Sequence, residues 1–197
     1  KDFPTELLHL IAERPNICNQ VHMPLQSGND RILKKMNRYY TKVEFLELAS
    51  SIRQIIPDVC LTTDVIVGFP TETDDEFQDT MDVMKQVCFE QAFIFKYSER
   101  PKTRAADKFP DDVPEETKKQ RTILLNDQQK NIMLTQLGRY VGQTQPVLIE
   151  SLKSKKRDGH MVGRTDGGIL VVFDSLKTSQ KCGNIVPVTI NSASPHG

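Results

Sequence analysis

The sequence has no tryptophan, only 7% aromatic residues, and four cysteines spread over 197 residues. Cys18, Cys60, Cys88 and Cys182 include no closely spaced pair. A structural zinc or iron–sulfur site needs at least one short cysteine spacing, because thiolates on one turn must converge on one metal. The chain by itself is therefore expected to bind no metal, and its cysteines read as buried thiols in a reducing compartment. No apolar run approaches the length that spans a bilayer. The N-terminus, Lys1-Asp2-Phe3-Pro4, lacks the basic–apolar–small pattern of a signal peptide and reads as a start in mid-chain. Internal repeats and low-complexity stretches are absent as well. Neither charge sign is in excess, with 26 basic and 26 acidic residues. The apolar share of 38% and charged share of 26% match an ordinary globular protein and exclude a disordered chain.

That neutrality hides an asymmetry. From Leu137 onward there are 8 Lys or Arg and 4 Asp or Glu, whereas the preceding 136 residues carry 18 basic and 22 acidic groups. A basic tail on an acidic body suits an anionic partner, although a solvated surface would look the same.

The first two-thirds alternates helical and extended patterns. Thr5–Arg14 has Leu7, Leu8 and Ile11 at helical spacing, with Pro15 as a stop. Gln20–Leu25 reads as a short strand, and Asp30–Met36 as a helix. Thr41 and Glu44 form a capping-box pattern for a helix reaching about Ile56. Leu61–Phe69 is β-branched and apolar, the signature of a buried strand. Thr73 or Asp74 caps a helix to Val87 whose apolar face is Phe77, Met81, Met84 and Cys88. Gln91–Tyr97 is a third strand, Ser98–Pro114 a charged loop, and Pro114 opens a long helix to Leu137. Successive strand–helix units predict parallel strands joined by right-handed crossovers. After Gly138 the pattern becomes VLIESL, HMVGRT, GGILVVF and IVPVTINSA between turn-rich segments, which predicts a compact all-β barrel. The expected division is 1–137 and 138–197.

Ligands of parallel α/β folds bind at the C-terminal ends of strands. Three strings fall there: Pro24–Gly28, Gly68–Thr73 and Ser98–Ala106. Each alone is also a turn or a helix cap, but together they share one rim. Arg100, Lys102 and Arg104 in the third string suit phosphate contacts. Asp64 within a buried strand is either a hydrogen-bonded structural acid or a site group, since a buried carboxylate needs partners. His22 reads as a packed strand histidine. No nucleophile–base–acid set stands at these strand ends, which disfavours a hydrolase.

HMPLQSGNDRILKKMNRYYT resembles the HxPxQSGSDxxLxxMxRxYT signature of radical S-adenosylmethionine methylthiotransferases of the MiaB type. TDVIVGFPTET resembles their DxIVGFPGET, and SERPKTRAA their SxRPGTxAA, with Thr71 and Lys102 in place of glycines. VPEETKKQR and the strand-rich tail follow in the family's order. The resemblance implies the last three βα units of a partial (β/α)6 radical SAM barrel followed by a small all-β TRAM barrel. It implies S-adenosylmethionine as cofactor, contacted by Gln26, Ser27, Asp64 and Gly68, with Glu72 buttressing the loop. Two 4Fe–4S clusters belong to the full-length enzyme, their cysteines upstream in an N-terminal half that would partner this chain, so the chain alone should be inactive. The implied substrate is tRNA at the adenosine 3′ of the anticodon. Arg100, Lys102, Arg104, Lys153, Lys155, Lys156, Arg157 and Arg164 would meet its phosphates. A cytoplasmic (or mitochondrial) monomer with no membrane attachment is expected. Sister families that modify a ribosomal-protein aspartate or threonylcarbamoyladenosine share these motifs, and a non-catalytic RNA-binding protein is the reading from another class.

Overall fold

The computed structural model describes residues 3–154, 159–174 and 180–194. Helix α1 (Thr5–Glu13) leads into β1 (Gln20–His22), then α2 (Asp30–Lys35), α3 (Lys42–Ile55) and β2 (Cys60–Val67). Next come α4 (Asp74–Val87), β3 (Gln91–Lys96), α5 (Arg104–Lys108) and α6 (Glu115–Gly138). Strands β4 (Thr144–Ser151), β5 (His160–Thr165), β6 (Leu170–Asp174) and β7 (Ile185–Thr189) complete the described chain.

Helix starts follow local chemistry. Thr41 and Thr73 each form a full capping box, with Glu44 and Glu76 respectively, and Asn29 caps α2 by accepting from Arg31 and Ile32. Reciprocal bonds of this kind satisfy amide donors that the first helical turn would otherwise leave orphaned.

Strands β1, β2 and β3 form a parallel sheet in that order, with Gln20 opposite Cys60 and Asp64 opposite Phe93. Period-two alternation sends Val21, Leu61, Val65 and Val67 into one core with α1, α3 and α4. The alternate residues Asp64, Ile66, Phe93 and Phe95 look the other way, and both phenylalanines are 53% exposed. Strand β1 is shorter than the expected Gln20–Leu25. Its ladder stops after the Met23 amide, which donates to the Thr62 carbonyl; the Leu25 amide, next in phase, turns to the Thr63 hydroxyl, and the Asp64 carbonyl is taken by the Gln26 amide. The chain rejoins β2 at Gln26, bridged to Val65.

Three further expectations change. The buried stripe of α4 is Phe77, Thr80, Val83, Met84 and Val87. Met81 only flanks the core, and Cys88 caps the helix in the left-handed region at φ 57°. The Thr80 hydroxyl accepts the Gly28 amide at 2.9 Å, which turns that side of α4 inward. The Ser98–Pro114 segment is not all loop, because Thr103 caps the short helix α5. Of the four thiols only Cys60 is buried, and burial pushes it up to about 12; Cys18 and Cys182 are exposed.

Strands β4–β7 form an antiparallel sheet ordered β6-β5-β4-β7 around Val147, Ile149, Met161, Val171, Phe173 and Val186. It docks at the N-terminal ends of β1 and β2. The Asn19 amide donates to Asp166 at 3.1 Å, Gly167 lies against Cys60, and Leu137, Cys60 and Ile169 share a small core.

Candidate functional site at the strand ends

At the C-terminal end of β1 the backbone of Gln26 adopts φ 63°, an unusual conformation for a side-chain-bearing residue. Its amide donates to the Asp64 carbonyl at 2.8 Å, and its own carbonyl accepts from Ile66 at 2.9 Å. The bend is therefore held by the sheet itself. Ser27 is fully buried and its hydroxyl accepts from the Asn29 amide. A Cβ on Gly28 would come within 2.6 Å of the Asp79 carbonyl, so glycine is required there for packing on α4.

The Gly68–Thr73 loop follows β2. Gly68 has φ 70°, and a Cβ on it would run into the Lys118 side chain. The room that glycine makes on this side is thus filled by Lys118 of α6. The Gly68 amide donates to Glu72 Oε2 at 2.7 Å, and Arg121 Nη1 donates to the same oxygen at 2.7 Å. Burial pushes the Glu72 carboxyl above its ordinary value, with the Gly68 amide and Arg121 opposing that shift. Glu72 thus lies inside the loop, joining the Gly68 amide to Arg121 of α6. Thr71 stands at φ 71° and is gripped by Arg31, Lys35 and Asp112.

Asp64 is half-buried and pairs with His22, whose Nε2 lies 3.2 Å from Asp64 Oδ2. His22 Nδ1 shares a hydrogen bond with the Thr62 hydroxyl at 2.8 Å. His22 is not the packed strand histidine expected: like Gln20 it is exposed, on the face of β1 opposite the buried Val21.

Arg100, Lys102 and Arg104 are all exposed at the end of β3, with Lys102 at φ 66° and Arg104 donating to Asn37 at 3.2 Å. They join Gln26, Ser27, Gly68 and Glu72 on one rim, and Asp64 stands lower on β2. Arg164 is elsewhere. It ion-pairs with Glu150 at 3.1 Å and donates to the Gly168 carbonyl at 2.7 Å, beside the turn that docks at the opposite ends of the strands. Lys153 is exposed. Lys155, Lys156 and Arg157 lie outside the described residues.

Sequence reasoning missed Lys118 and Arg121, which are 3% and 5% exposed. With Leu125 and Gln129 they make the buried stripe of α6. Their helical spacing with Leu125 was the available signal, masked because lysine and arginine are usually solvated. These VPEETKKQR cations are consequently not free for RNA. Lys118 binds Asp111, while Arg121 binds Glu72 and Asp74.

Comparison with known proteins accounts for both halves. Residues 2–84 match the Radical SAM superfamily and residues 138–196 the TRAM domain. The tRNA-2-methylthio-N(6)-dimethylallyladenosine synthase of Phocaeicola vulgatus is 42% identical over 98% of this chain and 42% of its own length. That of Pelotomaculum thermopropionicum is also 42% identical, over 98% of this chain and 42% of its own. The chain belongs to the radical SAM methylthiotransferase family. It spans about two-fifths of the length of these curated relatives. Coproporphyrinogen III oxidase (HemN) from Escherichia coli, a radical SAM enzyme, superposes with a TM-score of 0.52 at 22% identity. That match covers 71% of this chain and 30% of HemN, a likeness of fold alone. Within the methylthiotransferase family, Thr71 and Lys102 replace motif glycines at two positions where the backbone is left-handed. The glycines of GFPGET and RPGT therefore have a conformational reason.

Proposed function

We propose that this chain is the C-terminal part of a tRNA methylthiotransferase that adds a methylthio group at C2 of N(6)-dimethylallyladenosine beside the anticodon. The observation that carries this reading is the 42% identity, over both the parallel sheet and the TRAM domain, to synthases named for that product. A ribosomal-protein substrate would not call for the basic tail that Lys153, Lys155, Lys156 and Arg157 contribute.

S-adenosylmethionine fits the donor set at the rim. The amide side chain of Gln26 and the carboxylate of Asp64 suit its hydroxyl and ammonium groups, and Phe93 and Phe95 offer apolar faces on the same side of the sheet. Gln26, Asp64 and Gly68 are the residues that would hold it, whereas Ser27, also expected there, is fully buried and supports the turn from beneath. In this family it supplies both the methyl group and the 5′-deoxyadenosyl radical. The iron–sulfur clusters do not fit this chain's own residues. Cys60 is sealed at the junction with the TRAM domain, and no group of three or more metal-ligating side chains converges among the described residues.

The test uses the whole enzyme carrying this segment, reconstituted anaerobically with S-adenosylmethionine. Mass spectrometry of nucleosides from dimethylallyl-modified tRNA should reveal the methylthio product. A methylthio-aspartate on a ribosomal protein, with tRNA untouched, would transfer the assignment to the sister family. Modification of threonylcarbamoyladenosine alone would reassign the base.

A further inference from the structure

Helix α6 reaches from the cofactor-side rim to the TRAM junction. At 1.5 Å per residue its 24 residues span about 36 Å. Its first turns place two buried cations under the Gly68–Thr73 loop. Lys118 lays its aliphatic stem where Gly68 has no side chain, and ends on Asp111 at 2.6 Å with its ammonium over the Tyr97 ring. Arg121 bridges the loop, donating to the Glu72 carboxylate, the Glu72 carbonyl and Asp74, and its guanidinium lies over Phe77. At its far end the same helix packs Leu137 against Cys60 and Ile169, and the next residue but one, Arg139, binds Glu90.

We infer that Lys118 and Arg121 are positioning residues that set the shape of the Gly68–Thr73 loop for S-adenosylmethionine, anchoring it on α6, the helix that leads into the TRAM domain. The inference rests on the functional reading above, in which Gly68 of this loop would help to hold S-adenosylmethionine. The physical case is specific. Thr71, a non-glycine residue in the left-handed region, persists there only where its surroundings over-determine the loop. Here the Gly68 amide has one acceptor, Glu72 Oε2, and Arg121 holds that acceptor in place. A buried carboxylate without its cation would lose that orientation. Neither side chain needs to touch the cofactor; each acts through the loop backbone, as a supporting shell does.

The experiment measures binding of S-adenosylmethionine and of tRNA to the whole enzyme, by equilibrium methods that need no turnover. Arg121→Met is expected to weaken S-adenosylmethionine binding by about tenfold or more, because loosened supports displace contact groups. tRNA affinity should stay within about twofold, since the contacts are far apart. Arg121→Lys, which keeps one charge and loses the fork, should fall between. Lys118→Ala uncovers Gly68 and should weaken cofactor binding, whereas Lys118→Met keeps the stem and should bind like wild type. This pair separates loop support from a general loss of stability, and it stands if the Arg121 variants do not fold. Lys119→Met, an exposed neighbour on the same helix, is the control. Unchanged cofactor affinity in both Arg121→Met and Lys118→Ala would overturn the inference. Equal loss of cofactor and tRNA binding would overturn it too, since the role would then be general folding. If the wild-type enzyme bound no S-adenosylmethionine, the functional reading itself would fail, a result distinct from either.

Discussion

Arg139, the residue after α6, donates from Nη2 to Oε1 of Glu90 at 3.1 Å, and the Glu90 side chain has no exposed surface. The other carboxylate oxygen accepts the Leu61 amide at 2.7 Å, and Arg53 of α3 reaches both oxygens. One buried acid thus joins a helix, a strand and the connection to the TRAM domain.

Removing Glu90 leaves the buried Leu61 amide without its acceptor and takes the shared carboxylate from Arg53 and Arg139. Glu90→Ala is expected to cost about 3–5 kcal/mol, the usual penalty for stranding buried partners. Urea denaturation checks it. A loss under about 1 kcal/mol would show that water replaces the carboxylate freely.

The two left-handed positions that replace motif glycines should respond differently to glycine. Lys102 is exposed at φ 66°, so Lys102→Gly relieves backbone strain and should stabilise by about 0.5 kcal/mol, after the entropy gained by the unfolded chain is subtracted. Thr71 has the same strain, but its hydroxyl accepts from Arg31 and Lys35. Thr71→Gly should therefore give no gain, or a loss. Melting temperatures of the two variants decide it, and equal shifts would refute the distinction.

Acid should unclamp the loop at Glu76. The bidentate hydrogen bonds from Arg31 hold its carboxyl below the ordinary value of 4.5, outweighing partial burial. A depressed folded value means the pair's stabilisation is present above 4.5 and is lost as pH falls through the folded value. The stability gap between wild type and Glu76→Gln should then be constant at neutral pH and close on acidification below 4.5. Glu72, shifted the opposite way by burial, is common to both proteins and cancels. A gap independent of pH would count against the assignment.

If the basic tail grips tRNA phosphates, replacing Lys155, Lys156 and Arg157 together by alanine should flatten the logarithmic salt slope by about 2, weakening all tRNAs alike. Arg164→Ala should change the slope by less than one contact, because Glu150 and the Gly168 carbonyl already share its guanidinium. Titrations of the whole enzyme across a salt series read both. Identical slopes for wild type and the triple variant would show that those cations are only solvated.

Local chemistry carried much of the fold into the sequence. Thr41 with Glu44 and Thr73 with Glu76 marked helix starts because capping involves residues three apart. The β-branched run of β2 and the short strands after Gly138 were legible from periodicity. The motif strings likewise placed Gln26, Gly68 and Glu72 on one rim. Tertiary structure alone decided which charges are free. Lys118 and Arg121, of residue types that are usually solvated, are buried under Gly68 and Glu72, and Arg164 is taken up by Glu150. It alone also exposed His22 beside Asp64, and set the TRAM domain against Asn19 and Cys60. The reason is range. A cap or a strand period is written within a few neighbouring residues, whereas the partner of a buried charge is supplied by a segment up to 49 positions away.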